Sequence, residues 1–183
     1  IKVGPQRYQP VRFTVESDWS AASYWYQIMA LSPSAEIELL GLFEQSLQGD
    51  AAGTKLFSQL GVETLFTERG VRLRHNGKRC QRLDYDFVNE PDLAQTFVVT
   101  CALLNVPFRF TGLQSLKIKE TDRIEALKNE LLKLGYVLHD EQDSILSWDG
   151  ERCDPEAHPV IATYEDHRMA LSFAPAALVR PEG

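Results

Sequence analysis

Gln59-Leu60-Gly61-Val62 and Lys133-Leu134-Gly135-Tyr136 close two helical patterns in the same way, 74 residues apart. In each, a leucine ends the apolar periodicity and glycine supplies the left-handed conformation that stops a helix. Upstream of Gly61 a helix is expected from about Asp50 to Leu60, preceded by the alternating strand residues Ile37 and Leu39. Further back lie an apolar helix from Ala21 to Leu31, capped at Ser17-Asp18, and a strand alternating at Val11, Phe13 and Val15. Downstream, Val62–Phe66 and Val71–Leu73 form a hairpin turning at Glu68-Arg69-Gly70. Around Gly135 the order recurs. Leu83, Tyr85 and Phe87 read as a strand, Pro91 to about Leu103 as a helix, and Phe108 with Phe110 as a strand. A helix from about Glu120 to Leu134 follows, then a hairpin of Tyr136–Leu138 with Ile145–Trp148. Gly41-Leu42 and Gly112-Leu113 match at an offset of 71, and a strand at Pro159–Ala162 with a helix from Asp166 opens a third copy. The expected class is α+β with α/β-like character. It is built of βαβαββ units at about 11–76, 83–148 and 159–183, the third cut short, behind a linker at 1–10. Stacked units bury one another, so half a unit leaves apolar surface uncovered.

The chain has 183 residues, 44% hydrophobic and 25% charged, which excludes disordered, collagen-like and low-complexity classes. It contains no apolar run of the roughly 18 residues a membrane span needs, and no signal-peptide pattern. Cys80, Cys101 and Cys153 are too few and too scattered for a disulfide framework or a metal cluster, and the natural setting is a reducing cytoplasm. A net charge of −7 argues against a broad nucleic-acid or membrane surface and leaves room for a local cationic pocket. The chain opens at Ile1 and stops at Gly183, just after the apolar Ala176-Ala177-Leu178-Val179, and is expected to be a piece of a longer one.

Charge placement singles out three helix starts. In Lys117-Ile118-Lys119-Glu120-Thr121-Asp122-Arg123, two cations, Lys119 and Arg123, sit where the helix macrodipole is already positive. That placement costs a few tenths of a kcal/mol each unless an anion lies among them. Converging cations and free N–H groups suit a phosphate or carboxylate, with Glu120 able to move a proton. A solvated helix start with local ion pairs is the plain alternative. Asp92, after Pro91, is either an acid satisfying the dipole or a base toward a hydroxyl. Asp166-His167-Arg168 is either a capped, solvated turn or a third charged helix start facing the same cleft. His75, His139 and His158 have no metal-ligand spacing.

Lys119-Glu120-Thr121-Asp122-Arg123 and Thr163-Tyr164-Glu165-Asp166-His167-Arg168-Met169-Ala170 resemble the two signature segments of the 3-phosphoshikimate 1-carboxyvinyltransferase (EPSP synthase) family. The resemblance extends through Val15-Glu16-Ser17-Asp18, Ser46-Leu47-Gln48-Gly49-Asp50 and Pro91-Asp92. It implies the enolpyruvyl transferase fold, with three βαβαββ units in each of two domains, this chain being most of the domain that carries the C-terminal half. It also implies transfer of the enolpyruvyl group of phosphoenolpyruvate to the 5-hydroxyl of shikimate 3-phosphate, with release of phosphate. Asp92 would take the hydroxyl proton, Glu120 would handle protonation at the methylene carbon, and Arg123 and Arg168 would clamp phosphoenolpyruvate. Lys119 would hold shikimate oxygens. The position four before it, often asparagine in the family and in contact with shikimate, is Ser115 here. No metal or organic cofactor is implied, and the partner is an N-terminal domain of the same chain, without which this piece should be inactive.

Two other readings compete. The sister UDP-N-acetylglucosamine enolpyruvyl transferase family shares the unit fold but relies on a reactive cysteine and lacks the Lys119–Arg123 signature. The third is a non-catalytic module of the same fold.

Overall fold

The computed structural model describes residues 2–180; Ile1 of the expected linker and residues 181–183 of the third unit lie outside it. Its helices are α1 (Trp19–Leu31), α2 (Gly53–Gln59), α3 (Ala94–Leu103), α4 (Arg123–Lys133) and α5 (His167–Phe173). Its strands are β1 (Ile37–Leu40), β2 (Val62–Thr67), β3 (Gly70–His75), β4 (Leu83–Asp86), β5 (Phe108–Thr111), β6 (His139–Glu141) and β7 (Ile145–Trp148). One sheet has the order β1-β3-β2, all antiparallel. The other runs β4-β5-β7-β6, with β4 parallel to β5 and the rest antiparallel. The two share one plan if β1, β3 and β2 match β5, β7 and β6. The paired glycines agree with that match: Gly41 and Gly112 both have φ +74°, and Gly61 and Gly135 have φ +102° and +90°.

Helices fill the space between the sheets. All ten residues of α3 are buried, as expected of a helix that is apolar all round. Ser23 on α1 meets Thr96 on α3 at 3.2 Å between hydroxyls, and Gln27 on α1 donates to the Ser172 carbonyl on α5 at 2.9 Å. A run of aromatic contacts, Tyr26–Phe57–Phe97–Phe87–Phe110, with centroids 4.4–5.7 Å apart, leads from α1 through α3 to β5, and the Tyr26 hydroxyl meets that of Thr64 on β2 at 2.9 Å. Such pairs add to the ordinary gain of burying apolar area.

The structure corrects several expectations. Residues 11–15 form no strand, and Val11, Phe13 and Val15 stand exposed. A strand needs both a ladder and a face to bury; here the nearest tie is the Ser17 N–H donating to the Gly41 carbonyl at 2.7 Å, after the apolar residues have passed. Pro159–Ala162 is irregular too, its polar backbone atoms turned to side chains of α4 rather than to a sheet. The helix expected from Asp50 is a 3-10 turn, Gly49–Ala52, that runs into α2 without a side-chain cap. The helix expected from Glu120 starts at Arg123, because Asp122 takes the cap by accepting from the Glu125 N–H at 3.1 Å. In the second hairpin the first strand begins at His139. Tyr136 makes a single bridge to Arg152 instead, and Gln142 and Asp143 turn the chain in the left-handed region. No helix among the described residues is long and apolar enough to cross a membrane.

Candidate active site

The starts of α3, α4 and α5 converge. Pro91 opens a 3-10 turn, Pro91–Leu93, that leads into α3, since its missing N–H costs nothing at a first helical position. This puts Asp92 at the mouth. Asp122 caps α4 and places Arg123 at its first position, while the residues just before it, Lys119 and Glu120, lie outside any helix. Asp166 caps α5, accepting from the Arg168 and Met169 N–H groups at 2.8 and 3.4 Å, and so sets Arg168 in the first turn.

The side chains join in one ion network. Asp92 faces three cations: Arg168 Nη2 at 3.1 Å, Lys119 Nζ at 3.3 Å and Arg123 Nη1 at 3.4 Å. Arg123 in turn faces three carboxylates. Its Nε donates to Asp166 at 2.7 Å, its Nη2 to Glu120 at 2.6 Å and to Asp166 at 3.3 Å, and its Nη1 to Asp92 at 3.4 Å. The Arg123 side chain is 1% exposed and that of Asp166 0%, against 18% for Arg168, 29% for Asp92, 31% for Lys119 and 49% for Glu120. A buried guanidinium is tolerated only when its donors are matched, and here all three nitrogens are. Burial pushes the Asp166 carboxyl up, but Arg123 and the N–H groups of Arg168 and Met169 outweigh it and hold it below the usual carboxylate range.

Five of the residues expected from sequence, Asp92, Lys119, Glu120, Arg123 and Arg168, thus meet in one cluster. Ser115 does not join it; it lies half-buried in the 3-10 turn Gln114–Ile118. Only Arg123 and Arg168 of the three cations occupy a first helical turn, so the dipole argument for Lys119 gives way to its direct contact with Asp92. Asp166, which reads as a plain cap, is also the buried partner of Arg123. Asp50, expected only as a helix start at the end of Ser46–Asp50, lies close by: its carboxylate accepts from the Ser20 hydroxyl and its pKa is raised by burial, with Asp92 and Arg168 close enough to act on it. A signal for this place was available: Asp50 falls near Asp122 when the two units are aligned.

Arg168, Lys119 and the carboxylates of Asp92 and Glu120 are groups able to pair with an anion and to exchange a proton beside it. Lys119 and Arg168 are the reachable cations, and Asp92 and Glu120 the reachable carboxylates. Arg123 is the fixed charge between them.

A family model described as EPSP synthase (3-phosphoshikimate 1-carboxyvinyltransferase) matches residues 1–182. A relative from Bacteroides fragilis named 3-phosphoshikimate 1-carboxyvinyltransferase is 71% identical over 181 residues, covering 99% of this chain and 44% of its own length. One of the same name from Methanosarcina acetivorans is 33% identical over 177 residues, covering 96% of this chain and 40% of its own. The chain therefore spans less than half the length of these relatives. The solved structure of EPSP synthase from Acinetobacter baumannii superposes with a TM-score of 0.67 at 22% identity, over 90% of this chain and 40% of that one, and so shares the fold. On the match over residues 1–182, the chain belongs to the EPSP synthase family.

Proposed function

We propose that this chain forms one wall of an enolpyruvyl-transfer site, acting on phosphoenolpyruvate and shikimate 3-phosphate. The observation that carries the reading is Asp92 held among Lys119, Arg123 and Arg168. A carboxylate among cations becomes a free base once an incoming anion draws the cations toward itself. Arg168 then faces the phosphoenolpyruvate charge with the buried Arg123 guanidinium as fixed charge behind it, and Lys119 turns toward shikimate oxygens. Asp92 takes the proton of the 5-hydroxyl as its oxygen bonds to the enol carbon, and Glu120 delivers a proton to the methylene carbon. The tetrahedral adduct then expels phosphate, which leaves with the proton held by Asp92, as Glu120 takes a proton back from the new methyl group and the double bond is restored. Gathering two anions in one geometry is itself a large part of such catalysis.

We further infer that the domain is a three-unit array with its third unit beginning near residue 159. Helix α3 packs against both α1 and α5, with α2 against α1 and α4 against α3 and α5. Between α5 and α1 lies an apolar groove lined by Trp25, Ile28, Leu171, Pro175 and Leu178. Chain that the longer relatives have beyond this match would supply both its cover and the opposite wall of the site, and residues 1–183 alone should release phosphate slowly or not at all. Free thiols at Cys80, Cys101 and Cys153 fit a reducing cytoplasm.

The test uses the protein as its gene encodes it, with phosphate release measured on phosphoenolpyruvate plus shikimate 3-phosphate. Asp92→Asn and Glu120→Gln should each lower kcat by about 10²–10⁴-fold without loss of folding. Unchanged turnover in both would leave Asp92 and Glu120 purely structural, and absence of turnover in the unmodified protein would sink the reading and favour a non-catalytic module.

A further inference from the structure

The buried carboxylate of Glu130 lies outside the ion network. It sits seven residues after Arg123, two turns along α4, and is 0% exposed. Lys133 Nζ donates to it at 2.8 and 2.9 Å, the Ala162 N–H at 2.9 Å and the Tyr164 hydroxyl at 2.7 Å. Lys133 also donates to the Val160 carbonyl at 3.0 Å. These bonds fall on the irregular stretch that precedes α5, where no ladder holds the chain. Directly after the anchored residues the backbone does something unfavourable. Tyr164 and Glu165 both have left-handed φ, 55° and 54°, which ordinary L-residues avoid. Gln142 and Asp143 turn the same way in an exposed hairpin, but a bulky aromatic residue such as Tyr164 is an outlier in this region and persists where its surroundings hold it. Asp166 follows, with its N–H on the Thr163 carbonyl at 2.9 Å and its carboxylate on Arg123.

Helix α4 therefore grips the segment 160–166 at two points, Glu130 on one side of the strained turn and Arg123 on the other. We infer that Glu130, with Tyr164 and Lys133, is a positioning device that holds the left-handed turn and thereby sets Asp166 and Arg168 in the anion site. Groups whose own rotamers are locked in this way are what keep a charged site in its productive geometry. The inference rests on the reading of Arg168 as a phosphoenolpyruvate ligand for its kinetic consequence, and on geometry alone for its structural one.

Both are measured on the protein as its gene encodes it. Glu130→Gln keeps the shape and removes the charge; Tyr164→Phe removes one hydroxyl and should fold. Exchange of the Ala162, Asp166 and Arg168 amides should quicken in both, while amides of α3 keep their protection. The KM for phosphoenolpyruvate should rise about tenfold in Glu130→Gln and about threefold in Tyr164→Phe, with the KM for shikimate 3-phosphate within about twofold. A lower Tm with unchanged exchange at those amides and unchanged KM would overturn the inference and leave Glu130 a purely structural residue. If Glu130→Gln does not fold, Tyr164→Phe decides alone. Should the unmodified protein not turn over phosphoenolpyruvate, the functional reading fails, and amide exchange still judges the anchor.

Discussion

The starts of α2 and α4 each follow a strand and a glycine with φ +74°, Gly41 and Gly112, yet they carry opposite electrostatics. Before α2, Gly49–Ala52 folds as a 3-10 turn without a side-chain cap, and Asp50 takes its hydrogen bond from the Ser20 hydroxyl. At α4, Asp122 caps the helix and Arg123 enters the interior with carboxylates on three sides. The shared plan fixes where a charged group can stand. The chemistry depends on which charge is placed there and how it is matched.

The largest effect expected from this difference is on stability. Arg123→Met leaves Asp166 buried without its cation and should cost about 3–5 kcal/mol in urea unfolding. Asp50→Asn keeps the acceptor for Ser20 and removes a carboxylate that burial disfavours, so it should stay within about 1 kcal/mol and lean toward stabilisation. Equal losses in the two variants would mean that the network around Arg123 adds nothing beyond ordinary packing.

The matched glycines sharpen the comparison next. Both Gly41 and Gly112 have φ +74°, so alanine at either is strained by about 1–2 kcal/mol. At Gly41 the added Cβ meets chiefly the Ser17 hydroxyl, which can rotate away; at Gly112 it meets the Val88 backbone as well as the Asp86 carboxylate. Gly112→Ala should therefore cost at least about twice as much as Gly41→Ala in the same denaturation experiment. A reversed order would show that the second unit yields at this turn.

Acid titration separates the two carboxylates by sign. The Asp166 carboxyl is lowered in the folded state, so its contribution is present above the unfolded value and is lost as pH falls through the folded one. The Asp50 carboxyl is raised, so its ionised form costs stability, and that cost is relieved as pH falls through its folded value. Across the acid range the difference between parent and Asp166→Asn should shrink toward low pH. For Asp50→Asn, any advantage of the variant should fade in the same direction. Parallel pH curves for parent and Asp166→Asn would contradict the assignment.

What was legible in the sequence was whatever depends on local periodicity and punctuation. Gly61 and Gly135 mark their helix ends because only glycine takes that φ cheaply, and Pro91, Asp18 and Asp166 mark helix starts because the cap is a local interaction. The cluster of Asp92, Lys119, Glu120, Arg123 and Arg168 was legible through cations set against a helix dipole and through the family signatures. Glu130 was not. It stands in the helical interior at a spacing that apolar residues also occupy, and its partners Ala162 and Tyr164 lie more than thirty residues away. The non-local ladder was the other blind spot: alternation at 11–15 and 83–87 looks alike, and only a neighbouring strand tells them apart.

That last contrast yields the smallest expected effect. Leu83 and Phe87 are buried because β4 pairs with β5 along its whole length and covers the aromatic run at the centre. Phe13 belongs to a segment with the same alternation, but it is 65% exposed and its segment pairs with no strand, while β1 lies at an edge of its sheet. An aromatic ring that stays in water has no burial to lose, so Phe13→Ala in the 183-residue chain should change unfolding by less than about 0.5 kcal/mol. Phe87→Ala, by contrast, removes a fully buried ring and should cost about 3–5 kcal/mol. A loss of 1 kcal/mol or more (on the order of one buried methylene or larger) at Phe13 would mean that residues 11–15 dock along β1 as a fourth strand. The first sheet would then match β4-β5-β7-β6 strand for strand, and the open edge would be closed by the residues that sequence periodicity assigns to it.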